Sequence, residues 1–218
     1  MNARIAMLAA LGSVVLLAGC KKDGDIVVDQ GVGITALRSV CPNVGIPDFT
    51  GDVTTFRSGG AGPQTADAID VSAAITNVRS TCNDEGALVY TEATFDVIAS
   101  RRDVRGARSV ELPYFSTVLR GGNAVVAKRV GTVTLNFADG QARAQASGRA
   151  GSYVDRAEAT IPEDIRARIT ERRRAGDQSA AVDPLTLPEV RAAIARATFD
   201  LLIGFQLTED QLRYNATR

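Results

Sequence analysis

Ala197-Thr198-Phe199-Asp200-Leu201-Leu202-Ile203-Gly204-Phe205-Gln206-Leu207 is the stretch that decides the fold. Ala197, Phe199, Leu201, Ile203, Phe205 and Leu207 fall on one side of an extended chain. Thr198, Asp200, Gly204 and Gln206 fall on the other, and only Leu202 breaks the alternation. Side chains of a strand point alternately to its two faces, so this pattern predicts a half-buried strand. Working backwards, Ile69, Val71, Ala73 and Ile75 alternate with Asp70, Ser72, Ala74 and Thr76. Val89, Ala93, Phe95 and Val97 alternate with Glu92, Thr94 and Asp96. Val53 to Phe56, Pro113 to Leu119, Ala124 to Phe137 (with a break suggested at Gly131) and Gln141 to Ser147 read as further strands. Gly121-Gly122-Asn123 and Asp139-Gly140 supply the residues that tight hairpins need. Short strands at this spacing, joined by glycine turns, predict a mainly β chain. The expected architecture is an antiparallel, immunoglobulin-like β-sandwich with a small helical insertion near the C-terminus.

The insertion is expected at about residues 162–195. Pro162 suits the first position of a helix, with Glu163 and Asp164 in its first turn and Arg172-Arg173-Arg174 in its last. Ile165 and Ile169, one turn apart, give it a narrow apolar stripe. Glu189 to Ala195 reads as a second short helix. Thr208 opens a last helix, with Gln211 three residues on as its capping box.

The N-terminus has a different character. Arg4 precedes an apolar run from Ile5 to Leu17, which ends in Ala18-Gly19-Cys20 and is followed at once by Lys21, Lys22 and Asp23. These are the charged, apolar and small-residue parts of a secretory signal, and the run is too short to span a bilayer comfortably. Leu17-Ala18-Gly19-Cys20 resembles the bacterial lipobox. That resemblance implies cleavage before Cys20 and transfer of a diacylglycerol to its thiol. The competing reading is an ordinary signal peptide with a chance cysteine at its end. Two or three acyl chains anchor a protein stably where one does not. Lys21, in place of the Asp that usually retains lipoproteins in the inner membrane, favours the outer membrane. The expected division is a signal peptide at 1–19, a tether at 20–40 and a folded domain at 41–215. The tether reads as flexible coil, or as coil with Ile26-Val27-Val28 docked as an edge strand.

The chain has three cysteines. With Cys20 acylated, Cys41 and Cys82 remain as a pair, which in an oxidising compartment reads as a disulfide. Two buried free thiols are the alternative. Among 218 residues there is no His and no Trp, and Lys plus Arg equal Asp plus Glu at 25 each. A balanced charge argues against nucleic acid as a partner. The lack of His removes the Ser-His-Asp and Cys-His triads and the usual zinc and non-haem iron sites. No catalytic, metal or cofactor residue is assigned. Lys128 sits in Ala127-Lys128-Arg129, a pattern of exposed sheet. Asp84-Glu85, Glu163-Asp164 and Glu209-Asp210 each fall at a turn or helix start, where acids are expected anyway. Ser58-Gly59-Gly60-Ala61-Gly62-Pro63 lacks the Lys-Ser/Thr ending of a phosphate loop. Arg172-Arg173-Arg174 reads as a solvated helix end rather than a lipid-binding cluster. Tyr114 and Phe115 are assigned to the core.

Gly204-Phe205-Gln206-Leu207-Thr208, followed by Gln211-Leu212-Arg213-Tyr214-Asn215, resembles the C-terminus of a group of uncharacterised lipoproteins from alphaproteobacteria. The lipobox, Cys41-Pro42 after the tether and a second Cys at a strand end are similar too. The resemblance carries no catalytic residue over. It implies an unknown function. The lipobox, the sandwich pattern and the lack of catalytic groups lead instead to the expectation of a non-enzymatic structural or interaction module facing the periplasm, held to the membrane through Cys20, with an envelope protein as partner. The alternative is a carrier for a small apolar ligand or lipid, with its cavity between the sheets.

Overall fold

The computed structural model describes residues 39–57, 64–171 and 182–218. Cys20 and its lipobox, the tether up to residue 38, Ser58 to Pro63 and Arg172-Arg173-Arg174 lie outside the described residues. Among the described residues, eight strands make two four-stranded sheets. Sheet I has the order β1 (Asn43–Gly45), β8 (Phe199–Phe205), β5 (Arg108–Arg120), β6 (Ala124–Phe137). Sheet II has the order β2 (Asp52–Phe56), β3 (Ile69–Asn83), β4 (Leu88–Arg101), β7 (Arg143–Asp155). The chain is thus mainly β, and the described residues also include four α-helices: α1 (Arg156–Ala159), α2 (Glu163–Thr170), α3 (Pro188–Arg196) and α4 (Glu209–Thr217). No helix among the described residues is long and apolar enough to cross a membrane.

Alternation is what assembles the core. Val71, Ala73 and Ile75 of β3 and Ala93, Phe95 and Val97 of β4 are buried against Leu112, Leu135, Phe137, Leu201, Ile203 and Phe205 of sheet I. The two sheets therefore share one apolar core. Fully burying each large aliphatic or aromatic side chain contributes about 1.5–3 kcal/mol. β8 is central in sheet I and buried on its inward positions from end to end, as its sequence predicts.

The structure corrects the sequence reading in three places. First, the sheets are not purely antiparallel: β1 pairs parallel to β8, Val44 opposite Leu201. β1 and β8 lie at opposite ends of the described chain and are not joined by a hairpin. Second, β6 runs unbroken through Gly131. Third, β7 extends to Asp155, well past Ser147. Gly131, where the sequence suggests a break, and Gly148, just past the expected strand end at Ser147, are seats for aromatic rings. A Cβ on Gly131 would lie 2.6 Å from the Tyr114 ring, and one on Gly148 would lie 2.3 Å from the Phe95 ring. Each glycine is the direct cross-strand partner of the ring that covers it. Cross-strand aromatic cover lets glycine hold a register that its own propensity would weaken. Gly121 and Gly122 do take the positive φ (65° and 80°) expected of the hairpin between β5 and β6.

Polar pins close the ends. Buried Arg101 donates to the carbonyls of Gln141 and Gly106 at 2.9 Å and of Val104 and Ala138 at 2.8 Å. Its guanidinium also lies 5.2 Å over the Phe137 ring. One side chain thus ties the loop after β4 to the turn after β6, and its buried donors are paired, as burial demands. At the other side, Thr208 and Gln211 cap α4 reciprocally. Tyr214 stacks edge-on against Phe56 at 5.2 Å, and Asn215 donates to the carbonyls of Phe49 and Asp52, both at 2.8 Å. The C-terminal motif is packing machinery. Between β7 and β8, Ile165 of α2 packs with Val190 and Ala193 of α3 in a small separate cluster.

Cys41 and Cys82 form a disulfide across 41 residues of chain. It joins the segment before β1 to the end of β3, so it spans the two sheets. Closing a loop of that length stabilises by about 4 kcal/mol on the chain-entropy model. The Cys41→Ser, Cys82→Ser double variant is expected to lose about that much in denaturant unfolding. Wild type in reducing buffer should match it.

Candidate functional site

The outer face of sheet II carries a trough of about 770 Å³. Its geometry follows from register. Asp52, Ala74, Ile98 and Gln145 are successive cross-strand partners over β2, β3, β4 and β7, and Thr54, Ser72, Ser100 and Arg143 form the adjacent row. Four strands at 4.7–4.9 Å spacing make the trough about 14 Å across. The inward neighbours Val53, Ala73 and Ala99 belong to the core, so the trough and the core are opposite faces of one sheet. Its floor is Ser72, Ala74, Ile98 and Ser100. Small side chains leave the depth, and Ile98 lies open at 47% exposure. At the β2 end, Arg218, following α4, pairs with Asp52. At the β7 end Arg143 is exposed and has no partner among the described residues. Two bulges in β3, at Asp70 opposite Thr55 and Phe56 and just after Thr76, flank the floor, and bulges bend strands.

Charge on this face is graded. Along β4, one row beyond Ile98, Asp96 accepts from Asn77 Nδ2 at 2.8 Å and from Ser147 Oγ at 2.7 Å. Those bonds, Asn77 first, hold its carboxyl below the usual range. The Ser100–Arg143 row lies on the other side of Ile98, about 13 Å from Asp96 by strand rise. Further along the same face Tyr90 donates to Glu92 at 3.0 Å, which raises its phenol, and its ring lies 4.7 Å from Tyr153. Near the start of β3, Asp70 takes a bidentate pair from Arg108 of sheet I at 2.6 and 2.7 Å. That hydrogen bonding holds Asp70 below the usual carboxylate range against the opposing effect of burial.

A second, smaller cavity of about 110 Å³ lies between the sheets near β6 and β7, bounded by Ser116, Ser152 and Leu201. The larger space is therefore on an outer face, not between the sheets where the carrier reading places it.

The residues weighed from sequence lie apart. Lys128 is exposed over the Phe115 ring at 5.3 Å. Tyr114 is half-buried against Phe95, its ring centre 5.1 Å away, whereas Phe115 is half-buried on the opposite face. Asp84 and Glu85 lie in the turn after β3, while Glu163-Asp164 and Glu209-Asp210 occupy the first turns of α2 and α4. Among the described residues no group of three acidic or cysteine side chains could hold a metal. Sequence reading missed the trough because its members read as ordinary outward positions. The available signal was Val97-Ile98, an aliphatic residue out of phase on the polar face of β4. Comparison with family models, with curated proteins and with solved structures finds no match.

Asp70 supplies a pH test. Its depressed folded-state value contributes stability above the ordinary carboxylate range, lost as pH falls through the lowered value. Because Arg108 is half-exposed, the effect is expected to stay under about 1 kcal/mol. Arg108→Ala should unfold more readily than wild type at neutral pH. The gap should shrink on acidification below about pH 4, as read by urea unfolding across pH.

Proposed function

We propose that the chain is a lipid-anchored bacterial cell-envelope lipoprotein, held through Cys20. In this reading its folded body is a non-enzymatic structural or protein-interaction module facing the periplasm, more specifically from the outer membrane. The observation that carries the reading is the Cys41–Cys82 bridge. It suits an oxidising compartment and leaves Cys20 alone at the end of Leu17-Ala18-Gly19-Cys20. This agrees with the likeness to uncharacterised alphaproteobacterial lipoproteins. The associated fold reading, an immunoglobulin-like sandwich, draws support from two four-stranded sheets over one core. A surface for an envelope protein partner is the free edge of β6. Val125, Val126 and Val130 are exposed there, and an unpaired edge can accept a partner strand.

A second reading, a carrier for a small apolar ligand or lipid, is favoured by the trough, whose volume lies in the range of ligand sites. The anchor is tested on protein from fractionated envelopes. Intact mass should show acylation and the two-proton deficit of the bridge. Cys20→Ala should lose the acyl mass and leave the membrane fraction. An unmodified, soluble wild type with free thiols would sink the proposal.

A further inference from the structure

We infer that the trough on sheet II binds a single-chain amphiphile with an anionic head, its chain over Ile98 and Ala74 and its head at Arg143. This rests on the carrier reading and names the ligand class. Three observations carry it. The first is the floor: Ile98 is exposed at the centre of a floor otherwise made by Ser72, Ala74 and Ser100, so an apolar chain gains burial there that no described residue supplies. The second is polarity. Arg143 is the cation of the trough without a partner among the described residues, since Arg218 is engaged by Asp52. The third is orientation. Asp96 flanks Ile98 on the side away from the Arg143 row, so an anionic head is repelled from one side and drawn to the other. Ser72 and Ser100 add hydroxyls beside the head position. A guanidinium suits a carboxylate or phosphate, both of which it can pair bidentately.

The ligand is a free single-chain acid, not a bilayer surface. The trough is about 14 Å across, the scale of one chain, and only one of its two arginines, Arg143, is without a partner among the described residues.

The test uses the full acylated chain in bilayer discs of zwitterionic lipid, with a dodecanoate bearing a diazirine as probe. Photolabelling should fall on tryptic peptide 80–101, which contains Ile98. Ile98→Asp should abolish it. Ile98 is half-exposed, so the fold tolerates the change, and an intact Cys41–Cys82 bridge in the labelled sample checks this. Arg143→Glu should lower carboxylate labelling about tenfold, a loss of ~1.4 kcal/mol, while leaving that of the uncharged amide analogue unchanged. Equal labelling of peptide 80–101 by acid and amide, indifferent to Arg143→Glu, overturns the anionic assignment and leaves the carrier reading standing. Failure of both probes to label peptide 80–101 removes the carrier reading as well. Loss of label when anionic phospholipid is added to the discs points to a membrane-docking face and overturns the assignment to a free acid.

Discussion

The contact between Phe95 and Tyr114 is the interaction on which the two sheets depend. Phe95 comes from the middle of β4 in sheet II and Tyr114 from β5 in sheet I, and they meet edge to face at 5.1 Å. Such pairs contribute about 0.5–1.5 kcal/mol beyond the area they bury. Each ring also presses on a glycine of its neighbouring edge strand, Gly148 or Gly131. The Tyr114 hydroxyl then donates to the Arg149 carbonyl of β7 at 2.8 Å, crossing from one sheet to the other. A single aromatic pair therefore fixes inter-sheet contact, the register of both edge strands and one polar link between the sheets. A side chain on either glycine would push a ring out of this arrangement.

That arrangement explains how far the sequence was legible. Strand identity was readable wherever one face was apolar, as in β3, β4 and β8, because burial imposes strict alternation. The capping box at Thr208 and Gln211 and the positive φ at Gly121 and Gly122 were readable because they are local. The expected β7 stops at Ser147, where the alternation of alanine with longer polar side chains gives way to Gly148 and Gly151. The meaning of these glycines lies on another strand, in Phe95 and Tyr90. The parallel docking of β1 was invisible for a similar reason: three residues carry no period. The Cys41–Cys82 pair was foreseen by counting, not by geometry.

The trough marks a different limit. Outward positions of a sheet are read as solvated by default, and Ser72, Ala74 and Ser100 fit that default individually. They acquire meaning only when register places them in two adjacent rows, with Ile98 beside Ala74 in one of them. Here smallness is the signal, since the same rows filled with long side chains would cover the sheet. The ends of the body are handled by a separate strategy. Arg101 and Asn215 gather carbonyls from loops, fixing connections that the apolar core does not reach.

The Cys41–Cys82 bridge also determines how the body carries a mechanical load. β1 is three residues long and pairs along one side with β8, a weak graft if it alone resisted tension. The covalent bond lies just ahead of it in the chain. Force entering from residues before Cys41 is therefore shared with the end of β3, a strand paired with β4 up to Asn83 and with β2 over Ile69 to Ala74. Under such a load the bond to Cys82 engages the β3–β4 ladder, which runs from Val71 to Asn83, and not only the three pairs of β1 with β8.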